Sequence, residues 1–530
     1  MTRPDPSSLE EAKARYEAER TKRLRDEGLA QYQSLSEHHL DRDPWADPDF
    51  TRDAITEEVD VVILGGGFAG MLAGINLLRR GVTRFRIVEK AADFGGTWYW
   101  NRYPGCMCDV DATIYLPLLE ETGYMPTEKY ASASEIFGYC QLLGRHFGLY
   151  EHALFQTEVE SLTWDDDAHR WDLVSRRGDR IRTQFFVSAG GLMHKAKLPG
   201  IDGIDRFGGK AFHTTRWDYD FTGGSPTEPM DRLADKVVGI IGTGATAVQV
   251  VPQLARSAKA VYVFQRTPSA VGIRGQQPID EAWFRSLPAG WQVERTHNFT
   301  EVVTGNKPDR DLVADGWGQA LREDTQREPA SEEERADLEA IDFEVMEGFR
   351  RRIDELVEDP ETSEKLKPWY GKHCKRICFH DEYLQSFNEP NVHLVDTDGR
   401  GVRRRCRHTR GVGAAVEAGG AAVARSIEYA DPGCRGGLQD RIDALDVRQR
   451  RLIFAIAPAV ADDCDPAADH RVEHALEAGV GTGERRVIDR DMCAGRSSED
   501  VIDVEQHFNL VSAERGAAIE VDLAQVGDRP

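Results

Sequence analysis

Two glycine-rich turns, each between an apolar strand-like run and a helical pattern, constrain the fold of this chain most. The first turn lies in VDVVILGGGFAGMLAGINLLRRGVTRFRIVEK, starting at Val59, and the second in KVVGIIGTGATAVQVVPQLARSAKAVYVFQRTP, Lys236 to Pro268. Each stretch has the pattern strand, turn, helix and second strand, which is the βαβ unit of a parallel sheet. The sequence therefore predicts an α/β fold with two Rossmann-like dinucleotide-binding domains.

The first turn carries the pattern of a dinucleotide site. Gly65, Gly67 and Gly70 form G-x-G-x-x-G, which lets the backbone approach a pyrophosphate at a helix N-terminus. Glu89 closes the next strand, where a carboxylate can accept hydrogen bonds from a ribose. A glycine loop alone is a weak signal, but strand, helix, second strand and acid together indicate a dinucleotide site.

The second turn carries the opposite charge. Gly242, Gly244 and Ala247 form G-x-G-x-x-A, and the next strand ends at Gln265 with Arg266 where a carboxylate would stand. A guanidinium pairs with a 2′-phosphate that a carboxylate would repel, so this site favours NADPH over NADH, unless Arg266 is a solvated surface residue. Two sites of different polarity indicate a flavoprotein with tightly held FAD and exchangeable NADPH.

Composition excludes several classes of protein. A formal charge of −24 and a pI near 5.1 oppose sequence-independent binding to nucleic acid, which needs a basic face. No run approaches the roughly 18 apolar residues of a membrane span, and the N-terminus has no apolar signal-peptide region, so we expect a cytoplasmic protein. The nine cysteines lack the spacing of a disulfide framework or a zinc knuckle, and no metal site is predicted.

Changes of composition along the 530 residues predict five regions. They are an N-terminal helical arm (1–58), the first part of an FAD-binding domain (59–194), an interdomain linker (195–235), an NADP-binding domain (236–400) with a helical insertion at about 275–370, and an atypical C-terminal region (401–530).

Two further patterns lie outside the glycine turns. The linker holds F-x-G-x-x-x-H-x-x-x-W-D, formed by Phe207, Gly209, His213, Trp217 and Asp218. The other pattern, G-x-W-x-x-x-x-[FY]-P-G-x-x-x-D, spans residues 96 to 109. With these patterns and both glycine turns, the chain resembles the Baeyer-Villiger monooxygenases over roughly residues 59 to 400. Stretches such as YWNRYPGCMCD and CKRICFHDEYLQSFN are most similar to the group acting on cyclopentadecanone and steroids.

The resemblance implies which residues contact each cofactor. The FAD contacts fall on the first glycine turn and on Glu89, Thr97, Trp98, Asp109, Tyr115 and Val159. The NADP contacts fall on Met107, Cys108, Asp109, Gly242, Thr243, Gly244, Ala245, Thr246, Ala247, Gln249, Arg266, Thr267, Lys375 and Arg376. The linker histidine and tryptophan of the family support domain movement, and a structural and a functional role for His213 both fit the sequence.

The family reaction inserts one oxygen atom from O2 next to a ketone carbonyl, giving an ester or lactone, through a flavin C4a-peroxide. This oxidant must stay an anion, and a fixed cation stabilises the negative charge of the reaction. Arg376 occupies the family position for that cation, and Asp109 would orient it. The alternative for these two residues is that both lie apart on the surface.

Two other functions remain open from the sequence. An N- or S-oxygenating flavin monooxygenase also has two Rossmann units, although it needs no arginine beside the flavin. An inactive flavin- or nucleotide-binding protein is the second alternative, because the C-terminal region is aberrant. Neither the ketone substrate nor the oligomeric state follows from the sequence.

The resemblance stops after NVHLVDTDGRGV, near residue 402. Family members continue with a strand and an A-[ST]-G-[FY] turn that completes the FAD domain, and neither is recognisable here. Residues 401–530 instead contain eighteen arginines, no lysine and three aromatic residues, Tyr429, Phe454 and Phe508. A GC-rich gene read out of frame gives this composition. We therefore expect a frameshift near codon 402 and a poorly ordered C-terminal region.

Overall fold

The computed structural model describes residues 6–191, 195–204, 207–322, 329–402 and 452–456. Within them, two sheets of the Rossmann type share one continuous apolar core. Ile63 and Trp98 from the first sheet's domain and Val250 and Phe379 from the second belong to that core. No helix of the described residues is long and apolar enough to cross a membrane.

The first sheet has six strands in the order β4-β3-β2-β7-β6-β5. Strands β4, β3, β2 and β7 are parallel, and β7, β6 and β5 form an antiparallel extension. The central strand β2 carries buried apolar side chains on both faces, because Ile63 belongs to the main core and Val62 packs in a smaller cluster with Leu173 of β6 and Ile181 of β7. The strands are β2 (Thr56–Leu64), β3 (Phe85–Val88), β4 (Ala153–Leu154), β5 (Val159–Asp165), β6 (Arg170–Ser175) and β7 (Arg180–Ser188). The helices are α2 (Phe68–Arg79), α3 (Thr97–Trp100), α4 (Ala112–Tyr115), α5 (Leu119–Thr122) and α6 (Ala133–His146).

The second sheet has five parallel strands in the order β14-β11-β10-β15-β9. Its strands are β9 (Lys210–His213), β10 (Val237–Ile241), β11 (Ala260–Gln265), β14 (Val392–Asp396) and β15 (Leu452–Ile456), and its helices are α7 (Tyr219–Thr222) and α8 (Ala245–Ser257).

A helical segment leaves the second sheet after β12 (Val271–Gly272) and returns at β13 (Cys378–Phe379). These two short strands pair in parallel and close the base of the insertion. The helices are α9 (Glu281–Arg285), α10 (Trp291–Val303), α11 (Gly316–Leu321), α12 (Glu332–Leu356) and α13 (Pro360–Leu366).

The N-terminal arm is held on the surface of the second domain. It contains α1 (Pro6–Arg23) and the short strand β1 (Tyr32–Ser34). Strand β1 pairs antiparallel with β8 (Lys197–Pro199), which belongs to the interdomain segment. The arm therefore contacts both the NADP-binding domain and the connection between the domains.

Strand β15 departs from the expectation of a poorly ordered C-terminal region. Leu452–Ile456 lies inside the second sheet, between β10 and β9. The reason is local, because LIFAI is a short uncharged apolar run, the composition of a strand buried on both faces. The rest of the region for which poor order was expected, 403–451 and 457–530, lies outside the described residues.

Candidate active site

The first glycine turn joins β2 to α2 at contacts that leave no room for side chains. Gly65 has φ +110°, and a Cβ on it would lie 2.2 Å from the carbonyl oxygen of Ala189. A Cβ on Gly70 would lie 1.9 Å from the carbonyl oxygen of Gly65. Gly67 precedes α2 and gives its first turn no side-chain cap, which suits a phosphate as the acceptor for those N–H groups.

Glu89 lies beside this turn with its carboxylate buried. It accepts hydrogen bonds from the backbone N–H of Gly66 at 2.6 Å and of Ala91 at 2.7 Å. Burial raises the pKa of Glu89, and these N–H donors oppose the rise. A carboxylate has about four acceptor positions, so two backbone contacts are compatible with a further contact to a ribose hydroxyl.

The segment after Glu89 returns to the same turn. Gly96 has φ +51°, and a Cβ on it would lie 2.8 Å from the Cα of Gly67. This close approach brings Thr97 and Trp98 to the N-terminus of α2, and the Trp98 indole N–H donates to the Tyr115 hydroxyl at 2.9 Å. Val159 starts β5 just after Thr157, whose N–H donates to the Glu89 carbonyl at 2.9 Å.

The second glycine turn joins β10 to α8 in the same way. Gly242 has φ +108°, and Gly244 precedes α8 without a side-chain cap. A Cβ on Gly244 would meet no atom within 4 Å, so the space in front of this helix N-terminus is open. Ala247 is fully buried under the turn, where a glycine or alanine is needed for close packing.

Polar side chains from three segments surround this second turn. The Thr243 hydroxyl donates to the Thr267 carbonyl at 2.5 Å, and the Lys375 ammonium donates to the same carbonyl at 3.1 Å. Arg266 extends toward the arm, donating to the Gln31 side-chain oxygen at 2.8 Å and to the Tyr32 hydroxyl at 3.3 Å.

Asp109 and Arg376, from the two Rossmann domains, form a bidentate ion pair. The two guanidinium–carboxylate contacts are both 2.9 Å. Burial lowers the pKa of Arg376, but charge attraction and hydrogen bonding to Asp109 outweigh it and raise this pKa above its ordinary value. Arg376 therefore carries a permanent positive charge at this position. The alternative of two separate surface residues is wrong for this structure.

Trp317 packs beside the ion pair, although the sequence analysis did not select it. The Arg376 guanidinium lies 5.2 Å from the centre of the indole ring, within cation–π range. Gly316 makes this position possible, because a Cβ on it would lie 2.5 Å from the ring of Phe379. In the sequence DGWGQ, a glycine stands on each side of the tryptophan. This pattern is the signal that predicts close packing around Trp317.

Gln249 connects the two domains at the site. Its side-chain N–H donates to the Met107 carbonyl at 2.9 Å, and its side-chain oxygen accepts from the Tyr103 hydroxyl at 3.0 Å. A Cβ on Gly105 would lie 2.7 Å from the Gln249 carbonyl oxygen, so the two backbones touch here. Met107 also contacts the Arg274 guanidinium through its sulfur.

The thiols near the site are buried and protonated. Burial raises the pKa of Cys106 to about 12, and it raises the pKa of Cys108 further above its ordinary range. Within the described part of the chain, no group of three or more His, Cys, Asp or Glu residues is arranged to hold a metal ion.

The linker residues form a buried connector. His213 is fully buried, and its Nδ1 accepts from the Thr215 backbone N–H at 3.1 Å. Burial, aided by the nearby charge of Arg216, lowers the pKa of His213 to about 3, so the ring is neutral.

The Trp217 indole N–H donates to the Thr222 hydroxyl at 3.1 Å, and Asp218 caps α7. Phe207 and Gly209 precede β9 in the same segment.

Comparisons with known proteins give the family. Residues 63–124 match the NAD(P)-binding Rossmann-like domain. The chain is 52% identical to Baeyer-Villiger monooxygenase ATR8 of Stachybotrys chlorohalonatus, over 75% of this chain and 65% of that protein. It is 45% identical to a Baeyer-Villiger monooxygenase of Streptomyces coelicolor, over 75% of this chain and 68% of that one. The chain belongs to the Baeyer-Villiger monooxygenase family.

Solved structures agree with this assignment. The polycyclic ketone monooxygenase from Thermothelomyces thermophila matches with a TM-score of 0.73 and 36% identity, over 87% of this chain and 74% of that one. The OTEMO complex with FAD and NADP matches with a TM-score of 0.53 and 25% identity, over 75% of this chain and 71% of that one. Two uncapped helix N-termini, a buried acid at one turn and Arg266 at the other fit these two groups.

Proposed function

We propose that this chain oxidises a ketone to an ester or lactone with O2 and NADPH, with FAD at the first glycine turn and NADPH at the second. The Asp109–Arg376 ion pair is the observation that carries the proposal. The chain covers 65% of the length of the first relative named above, and its activity is inferred from the site. A cytoplasmic location and a lack of nucleic-acid partners remain predictions from the sequence.

The residues around the first turn would hold FAD. The uncapped N-terminus of α2 would bind the pyrophosphate, and the Glu89 carboxylate would accept from the ribose. Thr97, Trp98 and Tyr115 lie against the turn, and their packing would exclude water from the cofactor. When bound, FAD supplies hydride acceptance and the activation of O2.

Arg376 would hold the negative charge of the reaction. Oxygen addition to a ketone places charge on the carbonyl oxygen, and a fixed guanidinium stabilises that charge without donating its proton. Asp109 holds the guanidinium by two hydrogen bonds, and Trp317 packs on its face. N- and S-oxygenation need no such cation, which favours ketone oxidation over that alternative.

We propose a large cyclic ketone as substrate. The support is the similarity to a polycyclic ketone monooxygenase at 36% identity and the family stretches quoted from the sequence. A panel of small, large and steroid-like cyclic ketones separates these classes. The rate of NADPH consumption and the amount of oxygenated product, identified by its mass, should be highest with the large rings. A preference for small ketones would contradict the proposed substrate class.

The variant Arg376→Ala tests the proposed reaction. Ester formation should fall by about 10²- to 10³-fold, because the charge on the substrate oxygen loses its stabiliser. NADPH oxidation should continue, since hydride transfer does not need this cation. Arg351→Ala is the control, because Arg351 is an exposed arginine on α12. Near-normal ester yield from Arg376→Ala would falsify the role given to Arg376.

A further inference from the structure

The N-terminal arm lies along the NADP-binding domain through many side-chain contacts. On α1, Arg15 packs over the Trp369 ring at 3.7 Å and pairs with Glu364 at 2.6 Å. Farther along, Lys22 pairs with Asp398 at 2.8 Å, and Arg25 donates to the Gly399 carbonyl at 2.7 Å. These contacts fix the path of the arm just before it reaches Arg266.

Strand β1 of the arm is paired with the interdomain segment. The pairing of β1 with β8 places Tyr32 opposite Pro199 and Ser34 opposite Lys197. The backbone N–H of Gly200 also donates to the Gln31 carbonyl at 2.8 Å. Tyr32 on β1 and Gln31 just before it are therefore both held by backbone hydrogen bonds, and both side chains contact Arg266.

Two neutral acceptors from this segment contact the Arg266 guanidinium. Gln31 accepts from Nη1 at 2.8 Å and Tyr32 accepts from Nη2 at 3.3 Å. Both acceptors are uncharged, so these two contacts orient the guanidinium without adding a negative charge. The fixed planar fork of guanidinium N–H donors is the geometry that pairs with a phosphate.

We propose that Gln31 and Tyr32 of the N-terminal arm are positioning residues for the 2′-phosphate of NADPH, acting through Arg266. The inference rests on the proposed NADPH site and extends it to a segment outside both Rossmann domains. A long side chain such as arginine loses rotamer freedom on binding, and a partner that orients it beforehand removes part of that cost.

The test compares two probes that differ in the 2′-phosphate alone. Calorimetry with adenosine 2′,5′-bisphosphate and with AMP measures binding to the full chain and requires neither FAD nor ketone. The variants are Gln31→Ala and Tyr32→Phe, which keeps the ring and removes the hydroxyl. Each should weaken bisphosphate binding by up to about tenfold, with AMP binding unchanged. Gln33→Ala is the matched control, because Gln33 lies on β1 and bonds to His38 at 2.8 Å.

A double variant decides whether the effect passes through Arg266. In an Arg266→Ala background, Gln31→Ala and Tyr32→Phe should change bisphosphate binding no further. An unchanged preference for bisphosphate over AMP in both single variants overturns the inference, as does equal weakening of both probes. A wild-type chain without any preference for the bisphosphate overturns it together with the NADPH site, whereas a failure of ketone oxidation alone leaves it standing.

Discussion

Two arginines at the candidate site have partners of different chemistry. Arg376 is paired with the Asp109 carboxylate at 2.9 Å, so the pair as a whole is close to neutral. Arg266 donates to the uncharged oxygens of Gln31 and Tyr32. We propose that Arg266 binds a doubly charged phosphate, whereas Arg376 stabilises a smaller, transient negative charge.

Removing the Arg266 side chain should change the choice between the two nicotinamide cofactors. With Arg266→Ala, the KM for NADPH should rise about 10- to 100-fold, because a charge-assisted hydrogen bond to the 2′-phosphate is lost. The KM for NADH, which lacks this phosphate, should hardly change. Steady-state kinetics with both cofactors measure the ratio, with the exposed Arg256→Ala as control. An unchanged ratio would move the recognition of the phosphate to Lys375.

Asp315 should make stability depend on pH. It caps α11 with its side chain buried, and burial raises its pKa to about 7. The unfolded carboxyl titrates near pH 4, so the folded state holds the proton longer. Its stabilising contribution is complete below about pH 4 and is lost as the pH rises to about 7, a change on the order of 2 to 4 kcal/mol.

The variant Asp315→Asn keeps the cap and removes this titration. Its unfolding midpoint should exceed that of the wild type increasingly as the pH rises from about 4 to 7. Asp280→Asn changes an exposed cap of α9 and is the control. Parallel pH profiles for wild type and Asp315→Asn would show that the native Asp315 is ionised throughout.

The first glycine turn and helix α2 lie so close together at Gly70 that no side-chain carbon fits there. A Cβ there would lie 1.9 Å from a backbone oxygen, which cannot rotate away. Gly70→Ala should therefore lower the free energy of unfolding by several kcal/mol, and with it the unfolding midpoint. It should also reduce the flavin content of the purified protein. Gly138→Ala, inside α6 where a Cβ meets no atom within 4 Å, should be neutral or stabilising. Equal midpoints for the two variants would contradict the close contact.

The elements that sequence reasoning found are those encoded locally. Both βαβ units follow from glycine spacing and apolar runs, and the comparisons confirm the predicted fold class. Strand β1 was missed because YQS has no apolar period and becomes a strand through pairing with β8. Contacts between distant segments, such as Gln31 with Arg266 and Trp317 with Arg376, depend on tertiary packing and leave no periodic signal.

For the whole molecule, the change of composition after residue 402 bears on whether the chain can work. We propose that a frameshift replaced the native continuation, because eighteen arginines and no lysine follow in residues 401–530. The FAD domain would then lack a strand and part of its core. The stabilising free energy lost in this way would exceed the roughly 5 to 15 kcal/mol by which a domain is stable. Relative to a chain with the native continuation, this chain should then be poor in flavin or prone to aggregate.

Resequencing the gene tests this directly. One of the alternative reading frames beyond codon 402 should encode a strand followed by A-[ST]-G-[FY], and the corrected protein should retain flavin through gel filtration. The present 530-residue chain, prepared in parallel, is the control. A stable, yellow preparation of this chain, together with alternative frames that encode nothing similar to the family, would refute the frameshift.

The ion pair at the centre of the site also forms late in synthesis. Asp109 and Arg376 are separated by 267 positions, and the intervening residues include the whole glycine turn of the second domain. During synthesis, Asp109 therefore leaves the ribosome long before its partner, and both glycine turns precede Arg376. A nascent or truncated chain that ends before Arg376 would have both turns but a carboxylate without its cation. Late arrival of Arg376 thus makes the ion pair one of the last parts of the site to form.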